Sequence, residues 1–176
     1  SLLDDSGGGV GETRLYANYQ AWSDGGRALT VRGGVKFAGS RSEWRGSGGT
    51  DFSLGVVYSD SQSLAETGLA WHVQVGVVRP GDSRLLPRDP QSLIWYGAAS
   101  LDWQLHDTVT LVAQIDSHSG AYDSDLRQLG DATAQLALAL QWEVNPRWRV
   151  EFGFTEDVAV DTAPDISFFG SLRYQP

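Results

Sequence analysis

The stretch that decides the fold is Ala134-Gln135-Leu136-Ala137-Leu138-Ala139-Leu140-Gln141-Trp142-Glu143-Val144. Its even-numbered positions are all apolar, whereas its odd-numbered positions carry two glutamines, a glutamate and two alanines. Successive side chains of a β-strand point to opposite faces of the sheet, so this period of two predicts a strand with one apolar and one polar face. An amphipathic α-helix would instead repeat its apolar residues every three to four positions.

The same alternation recurs along the chain and predicts about nine strands, most of them close to the ~10 residues that a membrane-spanning strand needs. The predicted strands are residues 13–22, 29–37, 52–59, 69–78, 95–105, 109–116, 134–144, 148–155 and 168–174.

The connections between these strands fall into two classes. Three are short (23–27, 106–108 and 145–147) and one is intermediate (60–67), whereas the long ones are 38–50, 79–92, 117–131 and 156–165. Short turns at one rim and long loops at the other are typical of transmembrane barrels. The sequence therefore predicts a single domain, 1–176, that is all-β and folds as an antiparallel up-and-down transmembrane β-barrel in the bacterial outer membrane.

Composition excludes several classes of protein. The 176 residues fit one domain, and no apolar run is long enough for a transmembrane helix. The formal net charge of -9 argues against nucleic-acid binding, which needs a basic surface. Cysteine is absent, which fits a periplasmic or surface protein. We expect no cofactor, and no two histidines have the spacing of metal ligands.

The alternative fold is a soluble β-sandwich or lipocalin-like barrel with its apolar face turned inward. Two features favour the membrane barrel. Small residues occupy the middle of the polar face, as in a crowded lumen. In addition, four tryptophans lie on the apolar face beside the short turns, and such a row is typical of the aromatic girdle at a membrane–water interface. These tryptophans are Trp71, Trp103, Trp142 and Trp148.

Charged residues of both signs fall on the face predicted to line the lumen. A charged lining can set the selectivity of a pore, and the same charges can also pair and fill a narrow barrel. We therefore expect passive passage of small solutes or ions, with a non-conducting structural or surface-interaction barrel as the alternative. The predicted lumen charges are Arg14, Arg32, Lys36, Asp102, Asp116, Glu143, Arg149, Glu151 and Arg173.

Two of the predicted long loops contain candidate functional residues. The segment 155–165 is stiffened by a proline, and we expect it to fold into the barrel mouth and constrict it. Trp44, in another predicted outer loop, is a candidate contact to lipopolysaccharide. Outer-membrane lipid and lipopolysaccharide are thus the expected partners. The predicted constriction residues are Glu156, Asp157, Asp161, Pro164 and Asp165.

One short stretch raises an enzymatic alternative. Asp116-Ser117-His118-Ser119 contains the residue types of an outer-membrane lipid hydrolase, in which an imidazole takes the proton of a serine hydroxyl. On a regular strand, however, Ser117 and Ser119 point away from the face that carries His118. We therefore assign no catalytic residue and interpret the stretch as a hydrogen-bond network at the rim.

Three segments carry a resemblance to a known family: 46–52, 114–131 and 155–165, of which the last (Thr-Glu-Asp-Val-Ala-Val-Asp-Thr-Ala-Pro-Asp) is the most distinctive. They resemble an uncharacterised family of Gram-negative outer-membrane proteins, domain of unknown function 3187. The resemblance implies an outer-membrane location and covers the C-terminal part of the family's length. It also implies additional strands before residue 1, which would give an even total of ten to twelve, and a terminal aromatic residue where this sequence has Pro176. It implies no activity.

Overall fold

The computed structural model describes residues 12–37, 49–81, 91–125, 130–159 and 166–175. They form one nine-stranded sheet in which each strand pairs with the next along the chain, and every pairing is antiparallel. The predicted all-β, antiparallel, up-and-down arrangement is confirmed. The strands are β1 (Thr13–Asp24), β2 (Arg27–Phe37), β3 (Asp51–Asp60), β4 (Leu69–Arg79), β5 (Ile94–His106), β6 (Val109–His118), β7 (Thr133–Asn145), β8 (Trp148–Asp157) and β9 (Ile166–Tyr174).

The short turns are fixed by glycine and by carboxyl or amide side chains. Gly25, at the first central position of the β1–β2 turn, has a φ of 60°, which an L side chain rarely adopts. In the β3–β4 connection, the Asp60 carboxylate accepts hydrogen bonds from the backbone N–H groups of Gln62 and Ser63, at 2.9 and 2.8 Å. A 3₁₀ helix, Ala65–Thr67, completes that connection. No helix among the described residues is long and apolar enough to cross a membrane.

The strand register keeps the two faces separate across the whole sheet. On one face, Leu111 of β6 pairs with Leu140 of β7, which pairs with Phe152 of β8. One position along each strand, Gln141 pairs with Glu151 on the opposite face. We call the face that bears Leu140 the apolar face and the face that bears Glu151 the polar face.

The apolar face is exposed, and the sheet has almost no buried hydrophobic core. Among the described residues, Ala139, at 8% exposure, is the one hydrophobic side chain that is buried. In contrast, Leu54, Val75 and Phe152 are 56%, 57% and 61% exposed, although each lies within a strand. A soluble protein buries such side chains to gain stability, whereas the described part of this sheet leaves them uncovered.

The sheet is open in the structure. Within the described residues, β1 pairs only with β2 and β9 pairs only with β8, so one edge of each is without a partner strand. Because every neighbour is antiparallel, β1 and β9 run in the same direction. Closure by antiparallel pairs alone would therefore require an odd number of further strands between them.

Candidate functional site

The polar face is the candidate functional site, because it collects the charged residues of the strands. The register places all nine predicted lumen charges on this face. They are Arg14, Arg32, Lys36, Asp102, Asp116, Glu143, Arg149, Glu151 and Arg173.

One ion-pair network lies at the long-loop end of β1, β2 and β3. The Lys36 ammonium is 2.7 Å from the Asp51 carboxylate and 3.1 Å from the Glu12 carboxylate, and Glu12 also lies 3.6 Å from the Arg14 guanidinium. Asp51 in addition accepts a hydrogen bond from the backbone N–H of Gly81, at 3.0 Å. Two of the three cations on this side of the polar face are thus neutralised within the sheet.

Arg32 is different, because it lies over a ring instead of a carboxylate. Its guanidinium carbon is 4.3 Å from the centroid of the Tyr16 ring, which is cation–π distance. Within the described residues, no carboxylate is at ion-pair distance from Arg32, and its buried Nε atom has no hydrogen-bond partner. Arg32 therefore presents a net positive charge in the middle of the β2 strand.

Three aromatic rings of the polar face lie directly against glycines of neighbouring strands. A Cβ atom on Gly76 would come within 2.4 Å of the Tyr96 ring, and one on Gly55 within 2.4 Å of the Tyr96 hydroxyl. The Tyr16 ring lies against Gly34, and the Phe169 ring against Gly153, in the same way. Four of the small residues in the middle of the polar face, all of them glycines, thus lie under aromatic rings, and these ring contacts were not predicted from the sequence. Only the pairing register, which the sequence does not contain, identifies them.

On β4 to β8, carboxylates are held by neighbours on the polar face. The His72 Nε2 atom lies 3.2 Å from Asp102, and Arg149 forms a short ion pair with Glu143. Side-chain amides hold the others: each donates one hydrogen bond, at 2.7, 2.9 and 2.7 Å. The pairs are Gln114 to Asp116, Gln135 to Asp157 and Gln141 to Glu151.

Two cavities of the polar face each extend across strands β4 to β8, one at either end of these strands. The turn-side cavity has a volume of about 430 Å³ and is lined by Ala70, Asp102, Thr110, Gln141 and Arg149, among others. These five residues come from five successive strands, β4 to β8. Five strands of a flat sheet would extend over about 19 Å at ~4.8 Å per strand. A single cavity that reaches all of them indicates that the polar face is concave here.

The loop-side cavity, of about 310 Å³, lies at the other end of the same five strands. Its lining includes Gln74, Tyr96, Asp116, Thr133 and Asp157, again one from each strand. Among the described residues that line this cavity there is no lysine or arginine, whereas there are two carboxylates, Asp116 and Asp157. Asp116 therefore places a carboxylate that is held by an amide, Gln114, at the long-loop end of the concave part of the polar face.

The predicted constriction loop begins later than the sequence indicated. Glu156 and Asp157 are the last residues of β8, where they pair with Leu136 and Gln135 of β7. The prediction that they belong to a loop was wrong because β7 and β8 both extend further than their alternating segments. Asp161, Pro164 and Asp165, like Trp44, lie outside the described residues.

The Ser–His stretch forms the rim network that its alternation suggested. His118 Nδ1 is 2.9 Å from the Ser119 carbonyl oxygen, and His118 Nε2 is 2.9 Å from the Thr133 hydroxyl. The Ser119 hydroxyl instead accepts a hydrogen bond from the backbone N–H of Trp95, at 3.1 Å. Within the described residues, neither the Ser117 nor the Ser119 hydroxyl forms a hydrogen bond with the imidazole. The described residues also contain no group of three His, Asp or Glu side chains that could hold a metal ion.

An aromatic row crosses the short-turn end of the apolar face. The four predicted tryptophans lie there, and Trp103, Trp142 and Trp148 are exposed. A β-bulge between Gln20 and Trp22 adds a fifth tryptophan to the row by pairing Trp22 with Leu29, whereas strict alternation from Leu15 would place Ala21 on this face. Two tyrosines extend it. Tyr58 is 5.1 Å from Trp71, and Tyr174 is 4.9 Å from Trp148, measured between ring centroids.

Comparison with known proteins gives a family but no activity. No curated protein matches the chain. The sequence model of one family, described as a protein of unknown function (DUF3187), matches residues 3–175. Because this match covers nearly the entire chain, the protein belongs to the DUF3187 family.

Proposed function

We propose that this chain forms the wall of an outer-membrane β-barrel and that small solutes or ions pass passively along its polar face. The observation that carries the proposal is the exposure of the apolar face. A sheet that exposes Leu54, Val75 and Phe152 in mid-strand, and buries almost no hydrophobic side chain, is stable only if another apolar medium covers that face. The hydrocarbon of a bilayer is such a medium.

The aromatic residues of the apolar face have the spacing that this proposal needs. On β5, the exposed Trp95 lies near the long loops and the exposed Trp103 near the short turns, eight positions apart. At ~3.3 Å per residue and a tilt of about 40°, they are separated by about 20 Å along the barrel axis. That height is comparable to the ~25 Å apolar band between the aromatic girdles of transmembrane barrels.

Passage along the polar face is supported by its concavity and its charges. The two cavities occupy opposite ends of strands β4 to β8, so a solute that follows this wall meets both. Asp116 and Asp157 line the loop-side cavity, and Asp102 lines the turn-side cavity, where Arg149 is paired with Glu143. Among the described residues of β4 to β8, Asp116 and Glu151 are held by side-chain amides and not by cations, whereas Arg149 is neutralised by Glu143, and we therefore expect cations to pass more readily than anions.

The cation preference can be measured directly as a reversal potential. In a planar bilayer with a KCl gradient, the refolded protein should give discrete conductance steps with a reversal potential on the cation side. Asp116→Asn should shift that potential toward zero. One unit charge at ~5 Å in water contributes about 0.8 kcal/mol, so the cation excess at the loop-side cavity should fall by up to roughly fourfold.

Asp123→Asn is the matched control for this measurement. Asp123 is exposed at the long-loop end of the sheet and does not line the cavity, so the same change of charge should leave the reversal potential unaltered. An equal shift in both variants would refute a role for Asp116 in selectivity. Absence of conductance in folded, inserted protein would refute passage itself.

A non-conducting barrel is the second candidate, and one observation favours it. Tyr16, Tyr96 and Phe169 lie against the polar face, and the Lys36 network joins β1, β2 and β3, so side chains fill part of this face. Protein that inserts into the bilayer but shows no conductance would support this candidate. The long loops would then be the place to look for a function.

A further inference from the structure

Three arginines surround a small pocket at the short-turn end of the last two strands. Arg147 lies in the β7–β8 turn, Arg149 begins the polar face of β8, and Arg173 lies near the end of β9. The pocket between them has a volume of about 120 Å³ and is also lined by Glu143, Trp148 and Gln175. We call it the arginine pocket.

The pocket brings like charges close together, and one of its three arginines has a carboxylate partner among the described residues. Arg149 and Arg173 are direct cross-strand partners, and like charges placed directly opposite each other destabilise a sheet. Glu143 neutralises Arg149 alone. Within the described part of the chain, no carboxylate is at ion-pair distance from Arg147 or Arg173. A local charge excess of two positive groups thus stands in a chain whose net charge is -9.

The backbone around the arginine pocket is held in place without any ligand. The Asn145 side-chain oxygen accepts hydrogen bonds from the backbone N–H groups of Arg147 and Trp148, at 3.0 and 3.2 Å. The backbone N–H of Gln175 donates to the Arg147 carbonyl oxygen at 2.9 Å, which ties the end of β9 to the turn. The backbone that carries the arginines is therefore ordered before a ligand binds, so less conformational entropy is lost on binding.

The surroundings of the arginine pocket indicate which anion fits. On the apolar face next to it, Trp148 and Tyr174 pack at 4.9 Å and belong to the aromatic row. Leu172, 65% exposed, continues the apolar surface of β9 away from this pair. Arg149 and Arg173 lie on the polar face, but Trp148 also lines the pocket, so the pocket reaches the rim at which the two faces meet. A ligand with its anionic head at this rim and its hydrocarbon chain on the apolar face would contact the arginines, the two rings and Leu172.

We propose that the arginine pocket binds the phosphate group of a membrane phospholipid, whose acyl chain lies along the apolar face of β9. Guanidinium groups bind phosphate oxygens through paired, charge-assisted hydrogen bonds. Basic pockets at the level of the headgroups bind anionic lipids in this way. The inference rests on the proposed function only in that the apolar face must lie in a bilayer.

The test uses the whole chain in micelles of dodecyl maltoside, a detergent without phosphate. Dioleoyl phosphatidylglycerol is titrated in, and bound lipid is counted by native mass spectrometry. We expect one tightly retained lipid per chain, and a loss of affinity of roughly tenfold or more in the double variant Arg147→Gln, Arg173→Gln. Retention equal to that of the wild type would overturn the proposal.

Controls distinguish a bound phospholipid from a free anion and from a purely apolar ligand. Arg27→Gln removes an arginine at the same end of the sheet, one that is paired with Asp24 at 3.4 Å, and should leave lipid retention unchanged. Dioleoylglycerol, which lacks the phosphate, should not be retained. If inorganic phosphate displaced the lipid completely at equal concentration, a free anion and not a lipid would be the ligand. Far-ultraviolet circular dichroism verifies that each variant keeps its β-structure.

The outcome is independent of conductance. Lipid retention without conductance in a bilayer would contradict solute passage and leave the phospholipid site intact. Conductance together with equal lipid retention in the wild type and the double variant would contradict the phospholipid site and support solute passage.

Discussion

Val75→Arg should destabilise the protein by about 2–4 kcal/mol when unfolding is measured in lipid vesicles. Val75 lies in the middle of β4 on the apolar face and is 57% exposed. If that face contacts hydrocarbon, the arginine must enter the bilayer near its midplane, which is costly. If the face contacts water, an exposed valine can be replaced by arginine with a change within about 0.5 kcal/mol.

The control for this variant is Val158→Arg. Val158 has nearly the same exposure, 55%, but follows the end of β8, outside the strands. A charge there lies at the rim, where the cost in transmembrane barrels is about 0–1 kcal/mol. Equal effects of the two substitutions, measured by urea titration, would contradict a lipid-facing apolar surface.

Gly76→Ala should destabilise the sheet by about 2–3 kcal/mol, in the upper part of the range for an overpacked site. The added Cβ would approach the Tyr96 ring to 2.4 Å and the Leu54 carbonyl oxygen to 2.7 Å. The ring can move, but the carbonyl belongs to the β3 backbone and cannot move without disturbing its pairing. The midpoint of unfolding by denaturant in micelles measures this loss.

Two further variants define the cause of that loss. Gly33→Ala makes the same chemical change on β2, where a Cβ would meet nothing within 4 Å. It should be neutral or stabilise by about 0.5–1 kcal/mol, since alanine loses less backbone entropy than glycine. Tyr96→Ala should reduce the effect of Gly76→Ala by relieving one of the two contacts. If Gly33→Ala destabilised the protein as much as Gly76→Ala, the contact of the added Cβ with Tyr96 and the β3 backbone would not be the cause of the loss.

The strands and their faces could be predicted because alternation is a local property of the sequence. Residues 134–144 show the pattern so regularly that the strand and both of its faces follow from the pleat alone. The same local reasoning failed at the strand ends. Three β-bulges shift the register near the short turns, and one of them places Trp22, not Ala21, on the apolar face.

The contacts across the polar face could not be predicted, because they depend on which residues lie opposite each other. Tyr96 and Gly55 are separated by an entire strand, and their contact follows only from the register of β3, β4 and β5. The approach of Arg147 and Arg149 to Arg173 depends in the same way on β9. The sequence showed nine charges on one face, but not which of them are neutralised.

In the proposed barrel the apolar face lies in lipid and the polar face lines an aqueous space. The chain contains no cysteine, so Gln74→Cys and Val75→Cys each provide a single labelling site on opposite faces of β4. With a fluorophore on each cysteine in bilayers, we expect brominated lipids to quench the label at position 75 and aqueous iodide to quench the label at position 74. Iodide quenching at position 75 with lipid quenching at position 74, or iodide quenching at both, would contradict the account.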